Sequence, residues 1–465
     1  MRRLVIVCVV FLAGCASLSE DGGFGRVEQA VAERGAGQAK WVRSAEEADS
    51  VATRIKELLG KPLSAEDAVQ IALLNNRGLQ ARYAELGIAE SDLVQASRWS
   101  GPTLGFARLT RGDEIERETS VFFDVLGLLS IPVSTKAQEK RFAAAQHRAA
   151  EEALNLALQT RKAWFGAVAA QQAAKYMEDV QLAAEASADL ARRMAETGNW
   201  PFLTRARELA FYADASAQLA RARLAHTAAR ERLTRLMGLW GGDVGYALPE
   251  RLPELPAEAR EGGELEAQAL GQRLDVQAAR RDAESLAESL GLTRVTRHVD
   301  LVEVGALRTT ETGQAVKRGW ALELRIPIFD FGDARTARAE HLYMRAVNRA
   351  AESAIRARSE VRESYAAYRT AFDIARHYRD EIVPLRKRIS EEMLLRYNGM
   401  LSSVFELLAD ARDSVASVNA YLGAQRDFWL ANADLNMALT TGSPGAMAAA
   451  APALAPAGGA PAAAH

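Results

Sequence analysis

The chain has 465 residues, 58 basic against 60 acidic, a net charge of −2 and two cysteines. So even a balance offers no basic footprint for nucleic acid, and Cys8 and Cys15 cannot build a disulfide framework or a thiolate metal site. With 33 glycines but only 13 prolines, long uninterrupted helices are open to it. After residue 15 no apolar run approaches the roughly eighteen residues of a transmembrane helix, so the chain would cross a membrane as a β-barrel or not at all.

Residues 1–14 read as a lipoprotein signal peptide. Arg2 and Arg3 are followed by the apolar run Leu4 to Leu12, which falls short of the about 20 residues a spanning helix needs. Leu12-Ala13-Gly14-Cys15 resembles a bacterial lipobox, in which the cysteine is acylated and becomes the mature N-terminus. An ordinary signal peptide cut near a cysteine is the alternative. Ala16 in place of an aspartate fits the outer rather than the inner membrane in the system it resembles.

A first helix is expected from Leu63, capped by Ser64 with Asp67 three residues on, to about Trp99. Gly101-Pro102 ends it. Two strands follow within about 103–131, Thr103 to Leu109 and Ser120 to Ile131, separated by Arg111-Gly112-Asp113-Glu114. A long helix from about Lys136 to Thr197, a tight turn at Gly198 and a helix from Pro201 to Met237 complete this half.

The plan then recurs. A helix from about Glu264 to Arg297 leads to strands within about 299–329. There Trp320, Leu322, Leu324 and Ile326 alternate with Ala321, Glu323 and Arg325, as a strand between lipid and water would. Val299 to Leu307 is the expected partner, and Thr309 to Gln314 the outer loop. A long helix from Asp333 to Tyr397, bent at Pro384, reaches a turn at Gly399. The last helix, Leu401 to Leu439, carries Leu401, Val404, Leu408, Ala411, Val415, Val418 and Leu422 at spacings of three and four, a heptad-like seam that a plain helical bundle would also show. Residues 442–465, rich in Ala, Pro and Gly, read as a disordered tail.

The halves 63–238 and 264–441 thus share one order of helix, strand hairpin, long helix, turn and helix. Trp164 precedes Gly198 by 34 residues and Tyr365 precedes Gly399 by 34. Long helices of about 62 and 65 residues would each span about 95 Å. Four strands cannot close a barrel, which starts at about eight, so closure requires several copies.

In this order the motifs resemble the TolC-like outer-membrane efflux proteins, in their lipoprotein branch, over residues 63–441. The resemblance rests on Leu63-Ser64-x-Glu66-Asp67-Ala68 with Asn75-Asn76, and on Arg273-Leu274-Asp275-Val276. Further on it includes Leu324-x-Ile326-Pro327-Ile328-Phe329-Asp330-x-Gly332, Tyr397-x-Gly399 and Glu406-Leu407-Leu408-x-x-Ala411-Arg412. It implies a mainly α fold with a membrane β-barrel part: a homotrimer whose shared twelve-stranded barrel sits on a long α-helical periplasmic tunnel. Segments 15–62 and 239–263 would belt that tunnel at its equator. A periplasmic adaptor (membrane fusion protein) and an inner-membrane pump would dock at the helical tip, near Gly198 and Gly399. The function implied is the exit duct of a tripartite efflux system. The rival reading is a periplasmic coiled-coil lipoprotein acting as adaptor or spacer, and against it no compact β-rich adaptor domain is visible.

Relatives place acids just after the turn glycines. Here Glu406 and Asp410 follow the second turn with the register shifted by one, while Thr204 and Arg205 stand where the first turn should have an acid. Glu406, Asp410 and Arg205 are therefore the candidates for a pore constriction, with ordinary solvated charges as the alternative for the two acids. No enzyme signature is present: there is no Walker loop, G-x-S-x-G or H-E-x-x-H. His377 and Glu381 share one helix face but lack a third ligand. Neither a cofactor nor a metal is expected.

Overall fold

A computed structural model describes residues 17–299, 301–325 and 331–442. Cys15, Ile326-Pro327 and the tail lie outside the described residues. The chain forms two compact units, each built from three stretches: residues 1–48, 76–153 and 274–356 in the first, and 49–75, 154–273 and 357–465 in the second.

In the first unit, α1 (Gly25–Glu33) lies in an N-terminal strap. Val27 and Val31 are fully buried, and Phe24 meets Tyr83 edge-on with ring centroids 4.7 Å apart. The second unit opens with α2 (Ala45–Leu59, which starts in the strap) and α3 (Ala65–Asn75). Ser64 caps α3 as expected, its hydroxyl 3.0 Å from the Asp67 backbone N–H. The single helix expected to reach Trp99 is two. Asn76 leaves helical geometry and accepts from the Leu79 N–H, so α4 (Arg77–Ala96) starts afresh.

The sheet belongs to the first unit. Its strands β1 (Thr103–Arg111), β2 (Glu114–Asp124), β3 (Leu301–Glu311) and β4 (Lys317–Arg325) pair antiparallel in the order β1-β2-β3-β4. The β2–β3 ladder joins the two halves of the sequence, and β1 and β4 are the edges. The first pair of strands ends earlier than the expected 131. Asp124 accepts a hydrogen bond from the Gly127 N–H at 2.7 Å, so the chain turns straight into α5 (Val125–Glu196), and Ile131-Pro132 sits inside that helix rather than before it. A side-chain cap three residues ahead of a glycine outweighs the β-like run Leu126 to Ile131. The outer loop of the second pair is also shorter than expected. Thr309 to Glu311 continue β3, because β2 extends far enough to pair with them.

The second unit is helical. α6 (Phe202–Met237) ends at Gly238, and α7 (Leu265–Gln272) ends at Arg273. Asn75 ties this unit together by donating to the carbonyls of Met237 and Gly238 at the end of α6. Arg273, only 1% exposed, does the corresponding work at the end of the chain. It pairs with Glu360 at 2.7 Å and donates to the Ala438 carbonyl. It also breaks the helix expected over 264–297, since α8 (Leu274–Val295) begins after it in the first unit. α9 (Asp333–His377) is followed by a π turn (Tyr378–Ile382) and α10 (Val383–Asn398). The bend assigned to Pro384 is thus a π turn just before it, where the proline's missing N–H does least harm. α11 (Val404–Thr440) closes the fold. Phe428, Leu435 and Leu439 on α11 pack with Val361, Tyr368 and Phe372 on α9, a stripe beside the heptad-like seam, whose first residue Leu401 is solvated.

Candidate functional site

The candidate functional residues fall in two regions, the sheet in the first unit and the paired helical turns in the second. The sheet's register sorts its side chains by face. Rows of directly opposed residues share a face, and faces alternate along each strand. One face holds the rows Phe123–Val304–Leu322 and Leu104–Val121–Ala306–Trp320. Trp320, Leu322, Leu324, Leu104 and Phe106 are exposed. The other face holds every acid of the strands: Glu114, Glu116, Glu118, Asp124, Glu303, Glu311 and Glu323. Phe122 covers Gly305 on that face so closely that a Cβ there would lie 2.5 Å from the ring. The first side is apolar over the rows nearer the helices and continues toward the hairpins into Arg108, Arg117, Arg308 and Arg318, while the second side is acidic.

The two turns are built alike. In the first, Gly198 has φ +77°, and the Asn199 N–H reaches back to the Met194 carbonyl at 2.9 Å. In the second, the residue with positive φ is Met400, at +57°, and the Leu401 N–H reaches the Arg396 carbonyl at 2.8 Å. Both are Schellman-type helix ends. Gly399, at which the sequence places the turn, has φ −82° and serves as an ordinary cap. The structural counterpart of Gly198 is therefore Met400, and the register shift inferred between the turns is a one-residue displacement of the glycine itself.

Counted from the helix starts, the two halves align. Pro201 and Ser403 are the N-caps of α6 and α11. Thr204 then matches Glu406, and Arg205 matches Leu407. Seven residues beyond each cap stand Glu208 and Asp410, both buried. Glu208, missed in the sequence, is 2% exposed. It accepts from the Ser187 hydroxyl and pairs with Arg412 at 2.8 Å, so that α5, α6 and α11 meet at one carboxylate. Arg412 also lies over the Phe211 ring, 4.6 Å from its centroid. Counting from the cap rather than from the glycine would have found it.

The other candidates separate. Glu406 closes a capping box with Ser403, whose backbone N–H donates to it at 2.8 Å. That N–H holds the Glu406 carboxyl below the usual carboxylate range. Arg205 lies half-exposed near the Phe202 ring, with no ion pair among the described residues. Around the turns Met400 is 94% exposed, and Leu401, Phe202 and Leu203 are also largely solvated. Trp200 stacks on Phe405 and links the two turns. His377 and Glu381 form an exposed pair at 3.3 Å. Among the described residues no cluster suits a metal ion, and no helix is long and apolar enough to cross a membrane.

No protein-family model and no curated protein sequence matches the chain. Solved structures do. CusC, described for conformational changes accompanying folding and transmembrane channel formation, has a TM-score of 0.66 at 16% identity over 84% of this chain and 92% of its own. The outer-membrane channel OprN has a TM-score of 0.67 at 15% identity, over 87% of this chain and 94% of its own. The open state of the Neisseria gonorrhoeae MtrE outer membrane channel has a TM-score of 0.64 at 19% identity, over 84% and 89%. The chain has the fold of the TolC-like outer-membrane efflux channels.

Proposed function

We propose that three copies of this chain form the outer-membrane exit duct of a tripartite efflux or export system. The observation that carries the reading is the four-stranded sheet, apolar on one face and acidic on the other, with both edge strands unpaired. Open edges cannot lie in hydrocarbon, where their N–H and C=O groups would have no partners. Joining β4 of one copy to β1 of the next removes every edge and gives a twelve-stranded barrel, with the apolar face toward lipid and the acids lining the lumen.

Acylated Cys15 would tether the N-terminus to the same membrane. Segments 15–62 and 239–263 are assigned to the equatorial belt of the tunnel. The turns at Gly198 and Gly399, with their solvated apolar side chains, are assigned to the periplasmic tip, where an adaptor from the inner-membrane pump would dock. Glu406, Asp410 and Arg205 remain the candidates for the constriction, while Glu208, buried and paired with Arg412, holds α5, α6 and α11 together. No residue is assigned a catalytic role.

The test is assembly. Cysteines placed on β1 and β4 should cross-link in outer membranes to a ladder that stops at three chains, and the species should survive detergent. A lipid-free monomer with intact helices would favour the spacer reading instead.

A further inference from the structure

The lipid-facing side of the sheet, as assigned by the proposed barrel, ends in a feature that the barrel itself does not require. Beyond the apolar rows, the next row contains Arg308 opposite Arg318, and the row after it contains Arg108 opposite Arg117. Thr119 lies beside Arg308, and Thr310 beside Arg117. All four arginines are exposed, and none has an ion pair among the described residues. No acid of the strands shares their face. Like charges directly opposed across a ladder are destabilising, and twice in adjacent rows they are set so here. Neighbouring strands lie about 4.8 Å apart and successive same-face residues about 6.7 Å apart. The four guanidinium stems therefore rise from one patch about 15 Å wide.

The geometry points to this patch as a binding site for a phosphate-bearing lipid headgroup, that of a phosphorylated glycolipid in the outer leaflet. Three features favour that occupant. The arginines lie toward the loop ends of the strands, opposite the ends that join the helices, which places them at the outer interface of the proposed barrel. Arginine matches phosphate oxygens with two parallel N–H donors. Apolar residues immediately below, Trp320, Leu322 and Phe106 among them, would lie along the acyl chains of the same molecule. A headgroup with more than one phosphate would also neutralise the opposed pairs, which solvent alone leaves repelling.

The inference rests on the barrel reading, and its test separates the two. The purified full chain is reconstituted into vesicles containing phosphorylated glycolipid, the same glycolipid after enzymatic removal of phosphate, or phosphatidylglycerol. Retained lipid is measured by native mass spectrometry. The intact glycolipid should be retained roughly tenfold more than its dephosphorylated form, as the loss of several near-surface charge contacts implies. Replacing Arg117→Gln and Arg308→Gln together should remove that preference, and Arg117→Lys with Arg308→Lys, which keeps the charge but not the paired donors, should keep only part of it. Insertion into all vesicles with equal retention of both glycolipids, or retention of phosphatidylglycerol equal to that of the glycolipid, overturns the site and leaves the barrel standing. A chain that enters none of the vesicles overturns the barrel and this site with it.

Discussion

At the scale of single residues, the helical turns reveal which glycine matters. Gly198 sits at φ +77°, where a side chain is crowded against the following carbonyl. Gly399, at φ −82°, is in ordinary space, and an added Cβ would come no closer than 3.4 Å to the Leu395 carbonyl. Gly198→Ala should therefore destabilise the first turn by about 1 kcal/mol. Gly399→Ala should be nearly neutral. Thermal unfolding of the two variants side by side checks the difference, and equal losses would return Gly399 to the role its place in the sequence suggested. Glu208 is the other lesson at this scale. Its neighbours in sequence, Ala206, Arg207 and Leu209, say nothing of Ser187 or Arg412, and only the meeting of three helices explains why a buried carboxylate is tolerable there.

At the scale of elements, the strap helix α1 is held against the first unit beside a titratable group. His147 on α5 is partly buried, and burial lowers its pKa first, with Arg281, Arg34 and Arg26 adding to the effect. Glu139 and Lys140 on α5, Asp21 on the strap and Glu90 on α4 line the same cavity of about 740 Å³. Folding thus favours the neutral form of this imidazole. A histidine whose pKa is depressed by folding costs stability once the pH falls below its unfolded value, about 6.5. The protection of α1 against hydrogen exchange, relative to the intrinsic rate at each pH, should fall between pH 7.5 and pH 5, and the fall should shrink in His147→Gln. An exchange rate with the same pH dependence in both proteins would remove His147 from the strap's docking.

At the scale of the whole molecule, the two faces of the sheet make opposite demands on charge. Leu322 is on the apolar face, and Glu323, next to it, is on the acidic one. Leu322→Lys would put an ammonium into lipid, at a cost of roughly 2–4 kcal/mol near the bilayer midplane. Glu323→Lys would leave its charge in water. The first substitution should sharply reduce the amount of chain in the outer membrane and the second should not, as quantitative blotting of membrane fractions would read. Loss in both, or in neither, would mean that lipid does not lie on the apolar face.

Sequence alone determined the duplicated order of elements, the long helices and the period-two strands, because those follow from local propensity, capping and hydrophobic spacing. Ser64 capping α3 and the Gly112 hairpin could both be read in this way. Boundaries were less legible where two local signals competed, as at Asp124, where a cap cut short an apolar run that looked like strand. What only the tertiary structure decided depends on residues far apart in the chain. The β2–β3 ladder sets the register that gathers four arginines from four strands onto one face, and that gathering has no trace in any single strand. Likewise Arg273 finds Glu360 and the Ala438 carbonyl, and Glu208 finds Arg412, across separations of 87, 165 and 204 residues. A pattern along the chain reports the face a residue takes, but the partner on that face is chosen by packing.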